Sequence, residues 1–344
     1  VYASNQDDLH RRHIWEVGVK GGRPKLLTPG DGIEWAPAPL NDGSVALLRS
    51  DATMPARAAL LDSNGGLRDL APGVPNDFPR NLVTPVHVEI TATDGMKIPA
   101  QLFVPEGLRR GEKVPVAIFL HGGSRRQMLL GWHMRGYYHN AYGMSQYMAS
   151  RGVMALALNF RSGIGYGMEF REALDYGATG NSEFQDVIGA AQYLRSRPDV
   201  DPDRITAWGG SYGGYLTAHA LAQASDMFAA GVDIHGVHDW NEGIRIFVPN
   251  YNKNNYPEQS ALAFRSSPDN FIDGWRSPVL LIHGDDDRNV FFSQTTRLAR
   301  ELRKRGVHVE QLVFPDEVHG FLLHSNWVKA YEATSEFLIR HMNE

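Results

Sequence analysis

The sequence predicts an α/β protein in which a mostly parallel sheet is covered by helices on both faces, preceded by a short all-β segment. From residue 114 onward, apolar strands alternate with amphipathic helices, which is typical of a parallel sheet with both faces covered. Residues 1–80 differ, because short strands there are separated by Gly, Pro, Asn and Asp turns. A chain of 344 residues is long enough for one large core and a smaller module.

The amino-terminal segment contains a faint internal repeat. Gly21-Gly22 and Gly65-Gly66 each follow an apolar run and precede leucines and a Pro-Gly pair, 44 residues apart (positions 21 and 65). That offset is near the length of a four-stranded propeller blade. We therefore interpret residues 1–80 as about two blades of a partial β-propeller, with a small irregular β domain as the alternative. Residues 74–85 are predicted to form a connector. The strands predicted here are His13–Lys20, Ile33–Ala38, Ser44–Arg49 and Arg57–Asp62.

The main sheet is predicted to begin with a hairpin that turns at Asp94-Gly95. Its predicted strands are Val86–Thr93, Lys97–Val104, Val114–Leu120, Val153–Asn159, Ile205–Trp208, Ala230–Ile234, Val279–His283 and Val307–Phe314. The predicted helices include Ser182–Arg197, Tyr215–Gln223, Ser293–Arg305 and Trp327–Met342.

Composition excludes several classes of protein. Hydrophobic residues make up 42% and charged residues 21% of the chain, as in ordinary globular proteins. The net charge of −5 and the scattered Lys and Arg give no nucleic-acid-binding stripe, and no apolar run approaches the length of a membrane span. The absence of cysteine excludes thiol catalysis, thiolate metal sites and disulfides. We expect neither a metal nor a cofactor, and a homo-oligomer stays open.

The chain begins with Val1 rather than Met, so we expect it to be a processed or truncated piece of a longer protein. Because a cysteine-free protein folds in either redox environment, composition does not fix the compartment. We favour a cytoplasmic location, with a periplasmic or secreted one as the alternatives.

A serine stands between a predicted strand and a predicted helix. Residues 209–213 read Gly-Gly-Ser-Tyr-Gly, a G-x-S-x-G pattern. In this context the serine hydroxyl is held out from a sharp, strained turn. The following helix directs its N-terminal N–H groups at negative charge that forms beside the serine. The pattern therefore predicts that Ser211 is a nucleophile that attacks a carbonyl.

Two later strands end in the groups that such a nucleophile needs. The strand that ends at His283 is followed by three consecutive acids, Asp285 to Asp287, and the strand that ends at Phe314 is followed by His319. A histidine accepts the serine proton and returns it to the leaving group, while a carboxylate orients that histidine. The order serine, acid, histidine is that of α/β-hydrolases.

Spacing alone leaves choices open within this trio. Any of the three acids is a candidate, and at least two of them are expected to cap the helix that begins near Ser293. His319 is the leading base because it follows a strand and precedes a glycine, and His324 is its alternative. His283 is interpreted as a packing residue.

An oxyanion hole is the fourth requirement of this chemistry. One donor is predicted to be the backbone N–H of Tyr212, the residue after the nucleophile. The second is predicted to come from the turn after Val114–Leu120, which reads His121-Gly122-Gly123. Small residues in that turn let the backbone approach a substrate carbonyl.

These motifs together resemble the prolyl oligopeptidase family, nearest its dipeptidyl-peptidase and acylaminoacyl-peptidase branches. The matching segments are AWGGSYGGYLT around Ser211, LLIHGDDDRNV, FPDEVHGF around His319, DGMKIPAQLFVP and LNFRSGIGYG. The resemblance covers roughly residues 85–344, and it implies an α/β-hydrolase catalytic domain over residues 81–344. It also implies that Asp287 is the acid of the triad, and that short peptides are the substrates.

The resemblance further implies which residues contact substrate. Asn289 and Val290 match positions beside the substrate carbonyl and the pocket for the residue before the scissile bond. Trp240 resembles an aromatic wall of that pocket, with a core tryptophan as the alternative. Relatives carry tyrosines where this chain has Gly243 and Phe247, so strict preference for proline is not expected.

Two other functions are alternatives to a peptidase. A carboxylesterase uses the same triad, and a site without a complete propeller would admit esters. A non-catalytic, propeller-type binding module with a vestigial hydrolase fold is the alternative from another class, although a complete triad argues against it.

Overall fold

A computed structural model describes residues 1–70, 75 and 77–344. Part of the predicted connector at 74–85, together with the Pro72-Gly73 pair of the internal repeat, lies outside the described residues.

Two small antiparallel sheets form the amino-terminal segment. The first sheet contains β1 (Tyr2–Ser4), β2 (His13–Glu16) and β3 (Lys25–Leu26), and the second contains β4 (Ile33–Pro39), β5 (Val45–Ser50), β6 (Arg57–Leu61) and β7 (Leu67–Asp69). Both glycine pairs of the repeat lie between paired strands, since β2 pairs with β3 and β6 pairs with β7. The Ser50 hydroxyl donates to the Trp132 carbonyl oxygen at 2.6 Å, which ties the second sheet to the rest of the chain.

The remaining eight strands form one sheet. They are β8 (Val86–Thr91), β9 (Lys97–Phe103), β10 (Val114–Leu120), β11 (Met154–Leu158), β12 (Val200–Gly210), β13 (Ala230–Ile234), β14 (Val279–Gly284) and β15 (Val309–Phe314). Their order across the sheet is β15-β14-β13-β12-β10-β11-β9-β8. The six strands from β15 to β11 are parallel, and β9 and β8 extend that edge antiparallel. The mostly parallel sheet predicted from the sequence is confirmed.

The described helices cover both faces of this sheet. They are α1 (Gly136–Ser150), α2 (Met168–Arg171), α3 (Phe184–Arg195), α4 (Tyr212–Gln223), α5 (Trp240–Phe247), α6 (Pro257–Arg265), α7 (Ser293–Lys304) and α8 (His324–Met342). One hydrophobic cluster joins alternate strand residues to α3, α4 and α7, and a second joins the opposite residues to α1 and α8. Within the described ranges, none of the helices combines the length and the apolar character that crossing a membrane requires.

Four of these helices, α1, α2, α5 and α6, are missing from the sequence-based prediction. The longest of them, α1, contains two glycines and four tyrosines, which are weak helix formers. Eight of its residues are buried, so packing against the sheet stabilises a helix that local propensity does not favour. Two other helices begin one turn earlier than predicted, α4 at Tyr212 and α8 at His324.

Candidate active site

The carboxyl ends of five adjacent parallel strands meet at one edge of the sheet. Strand β12 leads to Ser211, β13 to His235, β14 to the acidic loop, β15 to the His319 loop and β10 to the His121 turn. Because parallel strands place their carboxyl ends side by side, groups that are distant in sequence become neighbours there.

Ser211 lies at a strained turn between β12 and α4. Its φ is 59°, which is the left-handed region that residues with a Cβ seldom adopt. A Cβ on Gly213 would lie 1.9 Å from the carbonyl oxygen of Leu120, and one on Gly209 would lie 2.3 Å from the same atom. The glycines of the G-x-S-x-G motif are therefore required because the turn packs directly on the end of β10.

Asp287 and His319 form a close hydrogen-bonded pair. His319 Nδ1 donates to Asp287 Oδ2 at 2.7 Å. The ring of His319 is partly exposed and lines the same cavity as Ser211, whereas the Asp287 carboxylate is buried. The described hydrogen bonds do not include one between the Ser211 hydroxyl and His319. Of the three residues predicted to form a triad, Ser211 and His319 thus line one cavity, and Asp287 is buried beside His319.

The Asp287 carboxylate is held in its charged form. Burial by itself raises its pKa, but the hydrogen bonds from His283 and His319 outweigh burial and hold the pKa well below its usual range. Asp287 Oδ1 also accepts from the backbone N–H groups of Asn289 at 2.8 Å and Val290 at 3.0 Å. An anion with this many donors is a fixed partner for a histidine ring.

The two neighbouring acids have other roles. Asp285 accepts from the backbone N–H of Asp316 at 2.7 Å, which joins the two loops, and exposed Asp286 pairs with Arg288. Neither of them caps α7, whose N-terminus has no side-chain cap. The prediction that two of the three acids cap this helix is therefore wrong, because Phe292 occupies the capping position.

The other two histidines considered from the sequence, His324 and His283, lie in different places. His324 begins α8 and does not line the cavity. His283 is buried, and its Nε2 lies 3.1 Å from Asp287 Oδ2 and 3.0 Å from the carbonyl oxygen of Val290. It is thus more than the packing residue expected from the sequence, since it helps to hold the acid in place.

His235 is a member of this site that the sequence reasoning missed. It follows β13 with a φ of 45°, and its buried ring lies 4.1 Å from that of His319, centroid to centroid. Its Nδ1 accepts a hydrogen bond from the backbone N–H of Ser211 at 3.1 Å. One ring nitrogen of each histidine and one carboxylate oxygen of Asp287 lie within 4.8 Å of one another. No sequence motif marks His235, which becomes visible only when β13 is placed beside β12.

The predicted oxyanion turn lies directly against the serine. A Cβ on Gly122 would lie 3.5 Å from Ser211 Cβ and 3.1 Å from the carbonyl oxygen of Gly210. The ring of His121 is buried against Phe160, with centroids 4.0 Å apart, and burial lowers its pKa to about 4. His121 is therefore neutral at pH 7. Its buried ring anchors the turn, so the turn approaches Ser211 through its backbone.

A buried carboxylate anchors the residue after the serine. The Tyr212 hydroxyl donates to Glu183, and Glu183 also accepts from the backbone N–H of Gly177 at 3.0 Å and from the Ser162 hydroxyl at 3.2 Å. Burial raises the pKa of the Glu183 carboxyl. This link fixes the side chain of Tyr212 and with it the start of α4. Glu183 was not singled out from the sequence, because its partners are distant in the chain.

The cavity around Ser211 has a volume of 750 Å³, which lies in the range of small-molecule sites. Its lining includes the four residues that the resemblance assigned to substrate contact: Trp240, Phe247, Asn289 and Val290. Trp240 is half-buried and packs on the edge of Tyr215, with ring centroids 5.2 Å apart. Phe247 is 76% exposed, so it lies at the rim. All four residues are thus placed at the cavity, together with Gly243.

The fold and the site together define the class of protein. A mostly parallel sheet with a serine on a strained strand-to-helix turn, followed in the chain by an acid and a histidine at neighbouring strand ends, is the arrangement of an α/β-hydrolase. Comparison with known proteins narrows the class. The chain belongs to the prolyl oligopeptidase family, Peptidase_S9, whose profile matches residues 140–344.

Similar proteins include two bacterial peptidases. The chain is 25% identical over 328 residues to dipeptidyl-peptidase 5 of Porphyromonas gingivalis, a match that covers 91% of this chain and 46% of that protein. It is 28% identical over 355 residues to dipeptidyl aminopeptidase BIII of Pseudoxanthomonas mexicana, covering 94% of this chain and 49% of that protein. The chain thus spans about half the length of these relatives.

A solved structure shows the same architecture. The acylaminoacyl peptidase of Pyrococcus horikoshii superposes with a TM-score of 0.78 at 26% identity, and the match covers 96% of this chain and 52% of that one.

Proposed function

We propose that this chain is a serine peptidase that hydrolyses short peptides through an acyl-enzyme. The observation that carries the proposal is the Asp287–His319 hydrogen bond of 2.7 Å at a cavity that also contains Ser211. The likeness to dipeptidyl and acylaminoacyl peptidases supports peptides as the substrate class.

Each residue of the proposed triad has its own role in the reaction. Ser211 attacks the carbonyl while His319 takes its proton, and Asp287 holds the ring and stabilises the imidazolium that forms. His319 then gives the proton to the leaving amine, and water repeats the sequence on the acyl-enzyme. In this proposal the backbone N–H groups of Tyr212 and Gly122 bind the oxyanion, a contribution worth about 3 kcal/mol of barrier per donor.

We further propose that residues 1–80 are the last blades of a β-propeller and residues 81–344 the catalytic domain. The four-stranded antiparallel sheet β4-β5-β6-β7 has the strand number of a blade. The glycine pairs of the internal repeat lie between paired strands in both small sheets, which supports two related units.

The test compares three chromogenic substrates: a dipeptidyl p-nitroanilide, an N-acetyl-aminoacyl p-nitroanilide and p-nitrophenyl butyrate. We expect release of nitroaniline from at least one anilide, and its loss in Ser211→Ala. Exposed Ser63, replaced by Ala, is the matched control and is expected to keep full activity. Hydrolysis of the ester alone would assign the chain as a carboxylesterase. Unchanged hydrolysis in Ser211→Ala would remove the serine from the mechanism.

A further inference from the structure

The catalytic cavity carries positive charge in a protein whose net charge is −5. Among the described residues that line it there are two arginines, Arg126 and Arg135, and no Asp or Glu. Neither of these arginines forms an ion pair within the described part of the chain, whereas the adjacent Arg125 pairs with Glu172 at 2.9 Å. Unpaired guanidinium groups in a concave site attract anionic ligands.

The two arginines share the cavity with a buried tyrosine. Tyr138 is 7% exposed and lines the cavity. Burial raises the pKa of the Tyr138 hydroxyl, and the positive charges of Arg126 and Arg135 together with a hydrogen bond from Arg126 partly oppose that rise. Arg126, Arg135 and Tyr138 all line this cavity. Three groups that can donate hydrogen bonds thus surround one part of the cavity.

This cluster lies next to the reacting centre. A Cβ on Gly122 would lie 3.5 Å from Tyr138 Oη and also 3.5 Å from Ser211 Cβ. A Cβ on Gly123 would lie 2.9 Å from Arg126 Cγ. The cluster therefore packs against the turn proposed to bind the oxyanion, within reach of a group bound to the reacting carbonyl.

The elements that carry this cluster indicate which half of a substrate the cluster contacts. The apolar residues Val237, Trp240 and Val290 come from the segments after β13 and β14. The cationic cluster comes from the segment between β10 and α1 and from the first turn of α1. Tyr137, beside Tyr138 in α1, contacts Trp327, and Trp327 packs on Phe321 in the His319 loop. Through these contacts the cluster adjoins the loop of the residue proposed to protonate the leaving group.

From this arrangement we propose that Arg126, Arg135 and Tyr138 form a carboxylate-binding subsite on the leaving-group side of the cavity. The substrate class is then a short peptide with a carboxylate just beyond the scissile bond, either its C-terminal carboxylate or an acidic side chain. Guanidinium groups bind carboxylates through paired, charge-assisted hydrogen bonds, which are the stronger kind. The inference rests on the proposed peptidase function for its kinetics but not for its binding measurement.

The kinetic test uses matched substrate pairs. N-acetyl-Phe-Ala is compared with its C-terminal amide, and N-acetyl-Phe-Asp-amide with N-acetyl-Phe-Asn-amide, by chromatography of the released amine. We expect kcat/KM to favour the carboxylate member of at least one pair by about 10-fold, as charge-assisted hydrogen bonds provide. The pair that shows the preference identifies the source of the carboxylate.

The variants then assign the preference to the cluster. In Arg126→Gln/Arg135→Gln the ratio within the responsive pair is expected to fall to about 1, whereas Arg125→Gln, the neighbouring paired arginine, is expected to keep it. Tyr138→Phe is expected to lower it by a smaller factor, since one hydrogen bond is lost. A preference that survives in the double variant would overturn the proposal, as would equal kcat/KM within both pairs.

A binding measurement separates this subsite from the proposed chemistry. Calorimetry with Ser211→Ala gives the affinity for the same peptides without turnover, and we expect the carboxylate member of the pair to bind more tightly. When Arg126→Gln and Arg135→Gln are combined with Ser211→Ala, we expect that difference in affinity to be lost. The N-succinyl and N-acetyl forms of one p-nitroanilide differ by a carboxylate on the acyl part of the substrate, and comparison of their kcat/KM tests that side of the cavity. If succinyl is favoured there and the leaving-group pairs show nothing, the placement on the leaving-group side is wrong.

Discussion

His235 Nδ1 accepts a hydrogen bond from the backbone N–H of Ser211 at 3.1 Å. The same N–H also donates to the carbonyl oxygen of Ile234 at 2.8 Å, so β13 holds the strained serine from two adjacent residues. The buried ring of His235 lies beside that of His319, and burial together with the charge of His319 keeps the pKa of His235 well below its usual range. A neutral His235 thus positions Ser211, the proposed nucleophile, without competing with His319 for protons.

Replacement of His235 by Ala tests this positioning role. We expect kcat to fall by about 5-fold, because one hydrogen bond to the serine backbone is worth about 1 kcal/mol, while KM changes little. Steady-state kinetics on the best anilide substrate measure both. Exposed His308, replaced by Ala, is the control that should leave both constants unchanged. A change confined to KM would argue that His235 contacts substrate and does not position the serine.

The acidic loop allows a comparison of neighbouring carboxylates. Asp287→Asn keeps the shape of the side chain but reverses the tautomer that it favours in His319, so kcat is expected to drop by about 10⁴-fold. Asp286→Asn removes only an exposed pair with Arg288, and its kcat is expected to stay within about 2-fold. Kinetics of both variants, with melting curves to confirm folding, measure the difference. Similar losses in both would leave the identity of the acid open again.

Much of this site follows from the sequence because its residues lie directly after apolar strands. Ser211 and His319 are found in this way, since the parallel sheet brings such positions to one edge. Asp287 is separable from Asp285 only by resemblance to the family, because three consecutive acids have the same local pattern. The structure distinguishes them by their partners, which are His319 for Asp287 and a backbone N–H for Asp285.

Other parts of the site could not be predicted because they depend on long-range packing. His235 and Glu183 are buried polar residues whose partners are 24 and 29 positions away, and neither lies in a motif. Helix α1 is stabilised by burial against the sheet and not by its own residues. The proposed carboxylate-binding subsite could not be predicted for a related reason, since Arg126, Arg135 and Tyr138 line one cavity only in the folded chain.

Buried histidines predict that the protein loses stability in mild acid. Burial lowers the pKa of His121 and His133 to about 4 and that of His219 to about 3, from 6.5. At a pH between the folded-state and unfolded-state pKa values, these histidines are protonated in the unfolded chain but stay neutral in the folded chain. The free energy of unfolding therefore falls as pH drops from 6.5 toward 4. Each histidine contributes a slope of up to about 1.4 kcal/mol per pH unit.

Urea unfolding at about pH 7, 6 and 5 measures this slope. His219→Gln is expected to reduce it, because that position then no longer titrates. The pKa of His238 is raised by Asp233, so the stabilisation from this pair is fully present below pH 6.5 and is lost as the pH rises through the raised pKa. It therefore does not cancel the acid effect. A free energy of unfolding that is constant from pH 7 to 5 would contradict the assignment of these histidines as neutral in the folded state.

The tight contact between the serine turn and β10 predicts a contrast between two glycines. In Gly213→Ala the new Cβ would lie 1.9 Å from the Leu120 carbonyl oxygen, so the start of α4 must move away from β10. We expect a loss of about 3 kcal/mol or more in the free energy of unfolding, together with loss of activity, because the serine moves with the turn. Gly136→Ala, at the start of α1, meets nothing within 4 Å and is expected to be neutral or stabilising by about 0.5 kcal/mol. Urea unfolding of both variants measures the contrast, and equal stabilities would show that the turn tolerates a side chain at Gly213.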